Sequence, residues 1–473
     1  TLTKSFRRRL ADLRSFGEFR GKELRLNPIA ALAMNEFEEG WGGFQTDGAW
    51  KAHQDRIRTA MALNPTVSSV FEAELRPYQE EGFQWMARLA EAGFGACLAD
   101  DMGLGKTIQA LALLLRRGTA GPSLVVAPTS VCANWEAEIL KFAPTLHVRH
   151  LAEGDREHTL NSLEPLDVLL CSYGLLHTES DRLKAIEWST VILDEAQAIK
   201  NSFTKRSQAA MELKAGFRLI LSGTPLENHL GELWNLFRFI NPGLLGSLES
   251  FQRRYQTPIE RDKDPEALHR LRRLTAPFLL RRTKAQVLEE LPSRTEITLE
   301  LEPSAEETAF LEALRQKSLE AIEVGSNKEG QTMLVLAAIT RLRRACCNPS
   351  LIQSDIGIAS SKLTAFMELA EELRENHHRV LVFSQFVDHL AILRRALDEE
   401  GFSYQYLDGS TSTKARTQAV TAFQRGEGEL FLISLKAGGT GLNLTGADYV
   451  IHMDPWWNPA VEDQASDRAH RIG

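Results

Sequence analysis

The chain has 473 residues, of which 43% are hydrophobic and 25% charged, and it carries a formal net charge of -8 at pH 7. That length accommodates about three domains of roughly 150 residues each, with the composition of a globular protein rather than a fibrous or disordered one. A surface coated in positive charge is excluded, and no apolar run approaches the roughly 18 residues a membrane span requires.

The opening Thr-Leu-Thr-Lys-Ser-Phe-Arg-Arg-Arg has no signal-peptide core. A cytoplasmic location and no membrane contact are therefore expected, on the nucleoid in a bacterium or archaeon and in the nucleus in a eukaryote. The missing initial Met and the end at Gly473, inside a motif, read as a piece of a longer protein. Five cysteines, Cys97, Cys132, Cys171, Cys346 and Cys347, form no CxxC pair and are expected as buried reduced thiols rather than disulfides or a zinc site.

Residues 1–70 combine a basic start (Arg7, Arg8, Arg9, Arg14) with an acidic stretch containing Gly and Trp near Glu38 to Trp50. They carry no catalytic signature and are expected to be a helical accessory segment. From Leu75 the character changes. Short runs rich in Val, Ile and Leu at 95–99, 123–127, 167–173, 189–193 and 217–221 alternate with helical patterns. This argues for an α/β fold, a parallel sheet covered by helices, over residues 71–240. Residues 230–347 show helical periodicity with almost no strand signal, so two helical insertions are expected, 241–300 on the first lobe and 301–350 on the second. Strand runs resume at 380–383, 404–407, 430–435 and 449–453, giving a second α/β lobe over 351–473 that is truncated at its C-terminal end.

The stretch Leu-Ala-Asp-Asp-Met-Gly-Leu-Gly-Lys-Thr (98–107) lies between an apolar run and a helical pattern at 108–117. Gly103 and Gly105 can take positive φ and close the backbone around a polyphosphate, with amides and a helix N-terminus facing the anion. Lys106 would reach the β- and γ-phosphates of ATP, and the Thr107 hydroxyl would ligate Mg²⁺. The general phosphate-loop pattern asks for Gly five residues before Gly105, and Asp100 stands there instead. An ordinary glycine turn ahead of a helix is the plain alternative.

In parallel sheets ligands bind beyond the carboxyl ends of the strands. After Val191-Ile192-Leu193 come Asp194 and Glu195, the first placed to hold Mg²⁺ and the second to act as general base toward water. Two such carboxylates can also simply cap a helix. Ser222-Gly223-Thr224-Pro225 after the next strand suits a relay from the hydrolysis site.

For DNA, Thr129 and Ser130 in the first lobe and Gly409, Ser410 and Thr411 in the second offer hydroxyls and amides at helix starts that suit phosphate oxygens. Between His269 and Ala285 lie Arg270, Arg272, Arg273, Arg281, Arg282 and Lys284 with no acid, and Arg341, Arg343 and Arg344 form a second cluster. A basic run can be a solvated face, yet two of them in the helical insertions of an acidic protein suit a phosphate track. Trp456 and Trp457 are expected to pack inward.

The order of blocks resembles the Swi/Snf family, a helicase-like group of superfamily two that includes chromatin-remodelling ATPases. In the first half these are Leu-Arg-Pro-Tyr-Gln (75–79) with Gly82 and Trp85, Asp-Asp-Met-Gly-Leu-Gly-Lys-Thr-Ile-Gln (100–109), Ala-Pro-Thr-Ser (127–130) with Asn134-Trp135, Asp-Glu-Ala-Gln (194–197) and Leu-Ser-Gly-Thr-Pro-Leu-Glu-Asn (221–228). In the second they are Val-Phe-Ser-Gln-Phe (382–386), Leu-Asp-Gly-Ser-Thr (407–411), Lys-Ala-Gly-Gly-Thr-Gly-Leu-Asn-Leu (436–444), Asp-Pro-Trp-Trp-Asn-Pro (454–459) and Asp-Gln-Ala-Ser-Asp-Arg-Ala-His-Arg-Ile-Gly (463–473). The resemblance covers residues 75–473. It implies two RecA-like lobes, ATP with Mg²⁺, and an ATPase stimulated by double-stranded DNA that tracks along one strand without necessarily unwinding it. Gln79 would recognise adenine with support from Arg76, Arg468 and Arg471 would be arginine fingers, and Asp463 and Gln464 would share their face. The Arg281-Arg282-Thr-Lys block would serve communication between lobes as well as DNA. A monomer is the expected unit, with a protein complex on DNA as a further partner. Gln197 departs from the His that many members carry, and the end at Gly473 falls short of the usual following Gln and bracing segment. A strand-separating helicase and a nucleotide-gated scaffold on a complex such as RNA polymerase share these motifs.

Overall fold

The computed structural model describes residues 17–20, 23–26, 29, 48–152, 154–223, 229–287, 295–324, 328–438, 444–456, 459–467 and 469. The chain divides into two units, Thr1–Glu290 and Leu291–Gly473. The division lies inside the stretch expected to form the first lobe's insertion.

The N-terminal segment is not wholly helical. β1 (Gly17–Arg20) pairs antiparallel with β2 (Glu23–Leu26), and α1 (Gly48–Met61) follows. Leu24 and Leu26 alternate with charged residues and only Gly21 and Lys22 separate the two strands in sequence, which is hairpin spacing that the surrounding charge obscures.

The first unit is built on seven parallel strands: β3 (Ala96–Leu98), β4 (Ser123–Ala127), β5 (His147–His150), β6 (Asp167–Ser172), β7 (Glu187–Asp194), β8 (Lys214–Leu221) and β9 (Leu279–Leu280). Their order is β5-β6-β4-β7-β8-β3-β9. Every residue of β3 and β4 is buried, as expected of strands covered on both faces. Helices α2 (Pro77–Ala92), α3 (Lys106–Arg117) and α4 (Thr129–Phe142) supply much of that cover, with Phe83, Met86, Leu111, Leu113 and Trp135 almost fully buried. β9 lies where helix alone was expected. It is two residues long, below the length at which an apolar pattern can be read, yet it places the following arginines beside the loop after β3.

The second unit begins, among its described residues, with helices Ala305–Val324 and Lys328–Cys347. A parallel sheet follows, ordered β11-β12-β10-β13, from β10 (Val380–Ser384), β11 (Tyr404–Leu407), β12 (Leu430–Ser434) and β13 (Tyr449–His452). Alternate residues feed two cores. Val380, Val382, Leu430 and Leu432 pack with Leu390, Leu393 and Leu397 on one face, and Leu381, Phe383, Phe431 and Ile433 pack with Phe423 on the other. The α/β class expected from the sequence, with parallel sheets, is therefore what both units have.

Candidate nucleotide site

Because all strands of the first sheet run the same way, the loops after β3, β7 and β8 emerge at one edge, with β8 between the other two. The loop after β3 carries Gly103 at φ 87° and Gly105 at φ 76°, and α3 starts at Lys106. A Cβ at Gly105 would lie 2.5 Å from Gln79 Nε2 and also force a left-handed backbone on an L residue. Lys106 Nζ donates to Asp100 O at 2.6 Å and to Asp101 O at 3.2 Å, so its ammonium lies within the loop. Thr107 occupies the first turn of α3 and is half-buried.

Asp100, the departure from the general pattern, is fully buried. It accepts bonds from Arg282 N at 3.1 Å and Arg282 Nε at 3.0 Å, and an ion pair from Arg282 Nη2 closes the fork. Arg282 also donates to Gln109 Oε1 at 3.0 Å and to the carbonyl of Tyr78. Asp101 N donates to Arg282 O at 3.0 Å, and Asp101 Oδ2 accepts from Lys284 N at 3.1 Å. The side chain at position 100 thus fastens the loop to the segment after β9. This overturns the expected DNA contact of Arg282, which is buried with its guanidinium on a carboxylate. Arg281 is exposed.

Gln79 is buried at the start of α2. Its Oε1 accepts from Arg76 N at 3.0 Å, and its Nε2 donates to Leu104 O at 3.2 Å, joined there by Tyr78 Oη at 3.1 Å. Pro77 at the first helical position and the Arg76 cap thus set Gln79 against the phosphate loop.

Asp194 ends β7 and is buried. Trp135 Nε1 donates to its Oδ2 at 2.8 Å, Glu195 N to its Oδ1 at 2.9 Å, and Tyr173 Oη to its carbonyl at 2.8 Å. Burial first, and then the charge of Glu195, push its carboxyl up to about 7, against the lowering pull of Trp135 and Lys106. Glu195 sits at φ 49°, a left-handed conformation rare outside Gly, Asn and Asp, and accepts from Gln197 Nε2 at 2.8 Å. Gln197 Oε1 is buried without a partner. On the neighbouring strand, a Cβ at Gly223 would meet Met102 Cγ at 3.0 Å and Lys106 Nζ at 4.0 Å, so the Ser222-Gly223 turn closes directly on the phosphate loop. Residues 224–228 lie outside the described residues.

A desolvated carboxylate beside a second carboxylate, next to a glycine cradle and a helix N-terminus, fits a divalent cation bound to a polyphosphate. Thr107 and Asp194 are the residues that would hold Mg²⁺. Trp135 and Gln109 lie in blocks that carry the family resemblance but were given no role there, and Tyr173 had no sequence signal. Trp135, Tyr173 and Gln109 lie 59, 21 and 9 residues from the groups they orient, inside apolar helical or strand patterns.

The DNA candidates divide. Thr129 is exposed at the start of α4; the Ser130 side chain lies outside the described residues. In the second unit, Asp408 Oδ1 accepts from Ser410 N at 2.8 Å, Ser410 Oγ at 2.7 Å, Thr411 N at 3.1 Å and Thr411 Oγ1 at 3.2 Å. The amides and hydroxyls expected to face phosphate also bond that carboxylate, on a turn where Ser410 is exposed and the space around Gly409 is open. Arg343 lies over Trp456 at 5.6 Å and donates to Pro455 O, while Arg344 pairs with Asp388, so of that cluster Arg341 is the exposed member. Trp456 packs on the core as expected. Asp463 is exposed; Trp457, the Gln464 side chain, Arg468 and Arg471 lie outside the described residues. The cysteines are free thiols, with Cys97, Cys171 and Cys347 buried, Cys132 half-buried and Cys346 exposed. Among the described residues, no helix is long and apolar enough to cross a membrane.

Residues 78–351 match the model of the SNF2-related domain, and residues 361–473 match the helicase conserved C-terminal domain. The chain is 44% identical over 423 residues to "Putative ATP-dependent helicase/translocase YwqA" of Bacillus subtilis (strain 168), covering 86% of this chain and 46% of that protein. It is 36% identical over 430 residues to "ISWI chromatin-remodeling complex ATPase CHR11" of Arabidopsis thaliana, covering 86% of this chain and 40% of that one. The chain therefore spans less than half the length of these relatives. A solved structure titled "Sulfolobus solfataricus SWI2/SNF2 ATPase core in complex with dsDNA" is 36% identical, with a TM-score of 0.48 and 87% of each chain covered. With the SNF2-related domain matching more than half of its residues, the chain belongs to the SNF2 family of ATP-dependent enzymes.

Proposed function

We propose that this chain is a motor that hydrolyses ATP and uses the energy to move along double-stranded DNA. The observation that carries the reading is the convergence of the Gly103–Thr107 loop with Asp194 and Glu195 at one edge of a parallel sheet. The names borne by relatives, a helicase/translocase and a chromatin-remodelling ATPase, support the DNA part.

In the proposed reaction the amides at Gly103 and Gly105 cradle the polyphosphate, and Lys106 pairs with the β- and γ-phosphates. Bound Mg²⁺ would supply charge neutralisation between those phosphates, held by the Thr107 hydroxyl and the Asp194 carboxylate. Trp135 and the Glu195 amide fix that carboxylate's orientation. Glu195, positioned by Gln197, orients the attacking water and accepts its proton. Gln79 faces adenine after exchanging its bond to Leu104 O, with Arg76 beside it. Arg468 and Arg471 act as arginine fingers, a contribution of about 10³ to 10⁵ in rate where such residues have been measured. Thr129, Ser130, Gly409 and Arg281 contact DNA phosphate, which sets position without reading sequence.

The test is steady-state ATP hydrolysis with and without duplex DNA, for the wild type, Lys106→Ala and Glu195→Gln. Stimulation by duplex in the wild type and loss of turnover in both variants is the expected result. Equal turnover in all three would overturn the site assignment, and a wild type indifferent to duplex would overturn the motor.

A further inference from the structure

Away from the nucleotide residues, three side chains of the second unit meet in its interior. Cys347 is the last residue of helix Lys328–Cys347, His389 lies in the first turn of helix Val387–Glu399, and Asp454 follows β13. All three are buried, and their sulfur, nitrogen and oxygen donor atoms lie within 4.8 Å of one another.

His389 is completely buried, yet neither ring nitrogen has a hydrogen-bond partner. A buried imidazole normally has at least one nitrogen satisfied, so two unpartnered ring nitrogens on one buried ring leave it free to take a ligand. Asp454 is held ready. Ser384 Oγ donates to its Oδ1 at 2.6 Å and Gln385 N to its Oδ2 at 3.1 Å, the kind of outer bond that orients a metal-ligating carboxylate.

We propose that Cys347, His389 and Asp454 bind a zinc ion, which clips together a helix end, a helix start and the segment after β13. The donor set of one thiolate, one imidazole and one carboxylate selects a borderline-soft ion of the zinc type over Mg²⁺ or Ca²⁺, which prefer oxygen alone. Bonds of about 2.0–2.3 Å in tetrahedral geometry separate ligand atoms by about 3.3–3.8 Å, so the pocket needs to contract by at most about 1.5 Å from its 4.8 Å limit. Binding exchanges the Cys347 thiol proton for the metal and releases that proton to solvent. The positive charges nearest the cluster are Lys362, whose Nζ is held by Met453 O at 3.0 Å, and Arg343 over Trp456. The thiolate and carboxylate together neutralise the dication, so the site adds no net charge beside them. Cys346 is exposed on the other side of the helix end and is not a ligand. The sequence pattern hides the site because the three ligands come from positions 347, 389 and 454 with no CxxC or HxxxH spacing.

The test is metal content and cobalt spectroscopy on the purified, tag-free chain, in the wild type and in Cys346→Ser, Cys347→Ser and His389→Gln. Stripped protein given zinc should retain one equivalent after gel filtration and melt at a higher temperature. Cobalt in its place should give visible d–d bands of a tetrahedral ion and a near-ultraviolet thiolate-to-cobalt band. Cys346→Ser should keep all of this, while Cys347→Ser loses the thiolate band and His389→Gln loses stoichiometric binding. If either of the last two fails to fold, the cobalt spectrum of Cys346→Ser decides alone. Substoichiometric zinc, cobalt without a thiolate band, or a thiolate band that vanishes in Cys346→Ser and persists in Cys347→Ser would each overturn the proposal.

Discussion

Arg282 holds Asp100 from three directions, with its backbone N–H and Nε on Oδ1 and its Nη2 on Oδ2, across 182 residues of sequence. Asp100 opens the phosphate loop and Arg282 follows the last strand of the same sheet. The pair therefore ties the nucleotide loop to the far end of the first unit. Removing one partner of a buried pair leaves the other charge uncompensated, which costs about 3–5 kcal/mol. Arg282→Ala should lower the stability of the first unit by about that amount, whereas exposed Arg281→Ala should change it by no more than about 0.5 kcal/mol. Thermal unfolding of the two variants checks this, and equal losses would show that Arg282 is not structural.

Gly105 is confined both by its φ of 76° and by Gln79 Nε2, 2.5 Å from where a Cβ would stand. Gly105→Ala should displace Gln79 from Leu104 O and narrow the loop. Binding of a fluorescent ATP analogue should fall at least tenfold, about 1.4 kcal/mol, with a strain cost to stability of about 1–3 kcal/mol. Unchanged binding would mean that the loop tolerates a side chain and that the positive φ is incidental.

Asp194 and Glu195 raise a question of pH. The Asp194 carboxyl is pushed up to about 7 by burial and then by Glu195, against about 3.9 in an unfolded chain. Its folded pKa lies above its unfolded one, so its contribution to stability is full below about pH 3.9 and is lost as pH rises toward 7. Glu195→Gln removes the neighbouring charge while keeping an acceptor for Gln197 Nε2. The variant should lose about 10²- to 10⁴-fold in ATP turnover, the usual worth of a general base, and still bind nucleotide. Without nucleotide, its stability should fall less steeply than that of the wild type between pH 5 and pH 7. Parallel pH curves for the two proteins would remove the Glu195 contribution to Asp194.

Much of this was legible beforehand because parallel strands buried on both faces read as continuous apolar runs. Ser123–Ala127 and Tyr404–Leu407 appear with the bounds the sequence suggests, and the Gly103–Thr107 loop and Asp194 follow their strands as expected. What escaped notice lacked that signal. His147–His150 is an edge strand with one apolar residue in four, and Leu279–Leu280 is two residues long. Arg282 looked like one more member of a basic run, since composition does not record that a fully buried Asp100 waits 182 positions upstream. The internal bonds of Ser410 and Thr411 went unread for a related reason. Small hydroxyls before a helix suit an external phosphate and equally suit an internal Asp two residues back.

That internal partner, Asp408, is itself held in its charged form by its surroundings. Partial burial works to raise its pKa, but bonds from Ser410, Tyr406 Oη at 2.8 Å and Thr411 outweigh it and hold the carboxyl at about 2. Here the folded pKa lies below the unfolded value of about 3.9, the reverse of Asp194. The stabilisation is present at pH above about 4 and is lost as pH falls through about 2. Asp408→Asn keeps one acceptor oxygen and discards the charge, so at pH 7 the second unit should melt at a lower temperature than in the wild type. The difference should shrink as pH drops below 4, where the carboxyl of the unfolded wild-type chain takes up its proton while the folded one does not. With the charge gone, the retained oxygen holds the Ser410 and Thr411 donors less strongly, which loosens them toward phosphate. If that turn approaches DNA, affinity for duplex should rise in Asp408→Asn through both the lost repulsion and the loosened donors. A salt titration separates the two, because removing one negative charge alters the slope of log affinity against log salt, while loosened neutral donors raise affinity by a similar factor at every salt concentration. Affinity identical to wild type at all salt concentrations would place the turn at Gly409–Thr411 away from the DNA path.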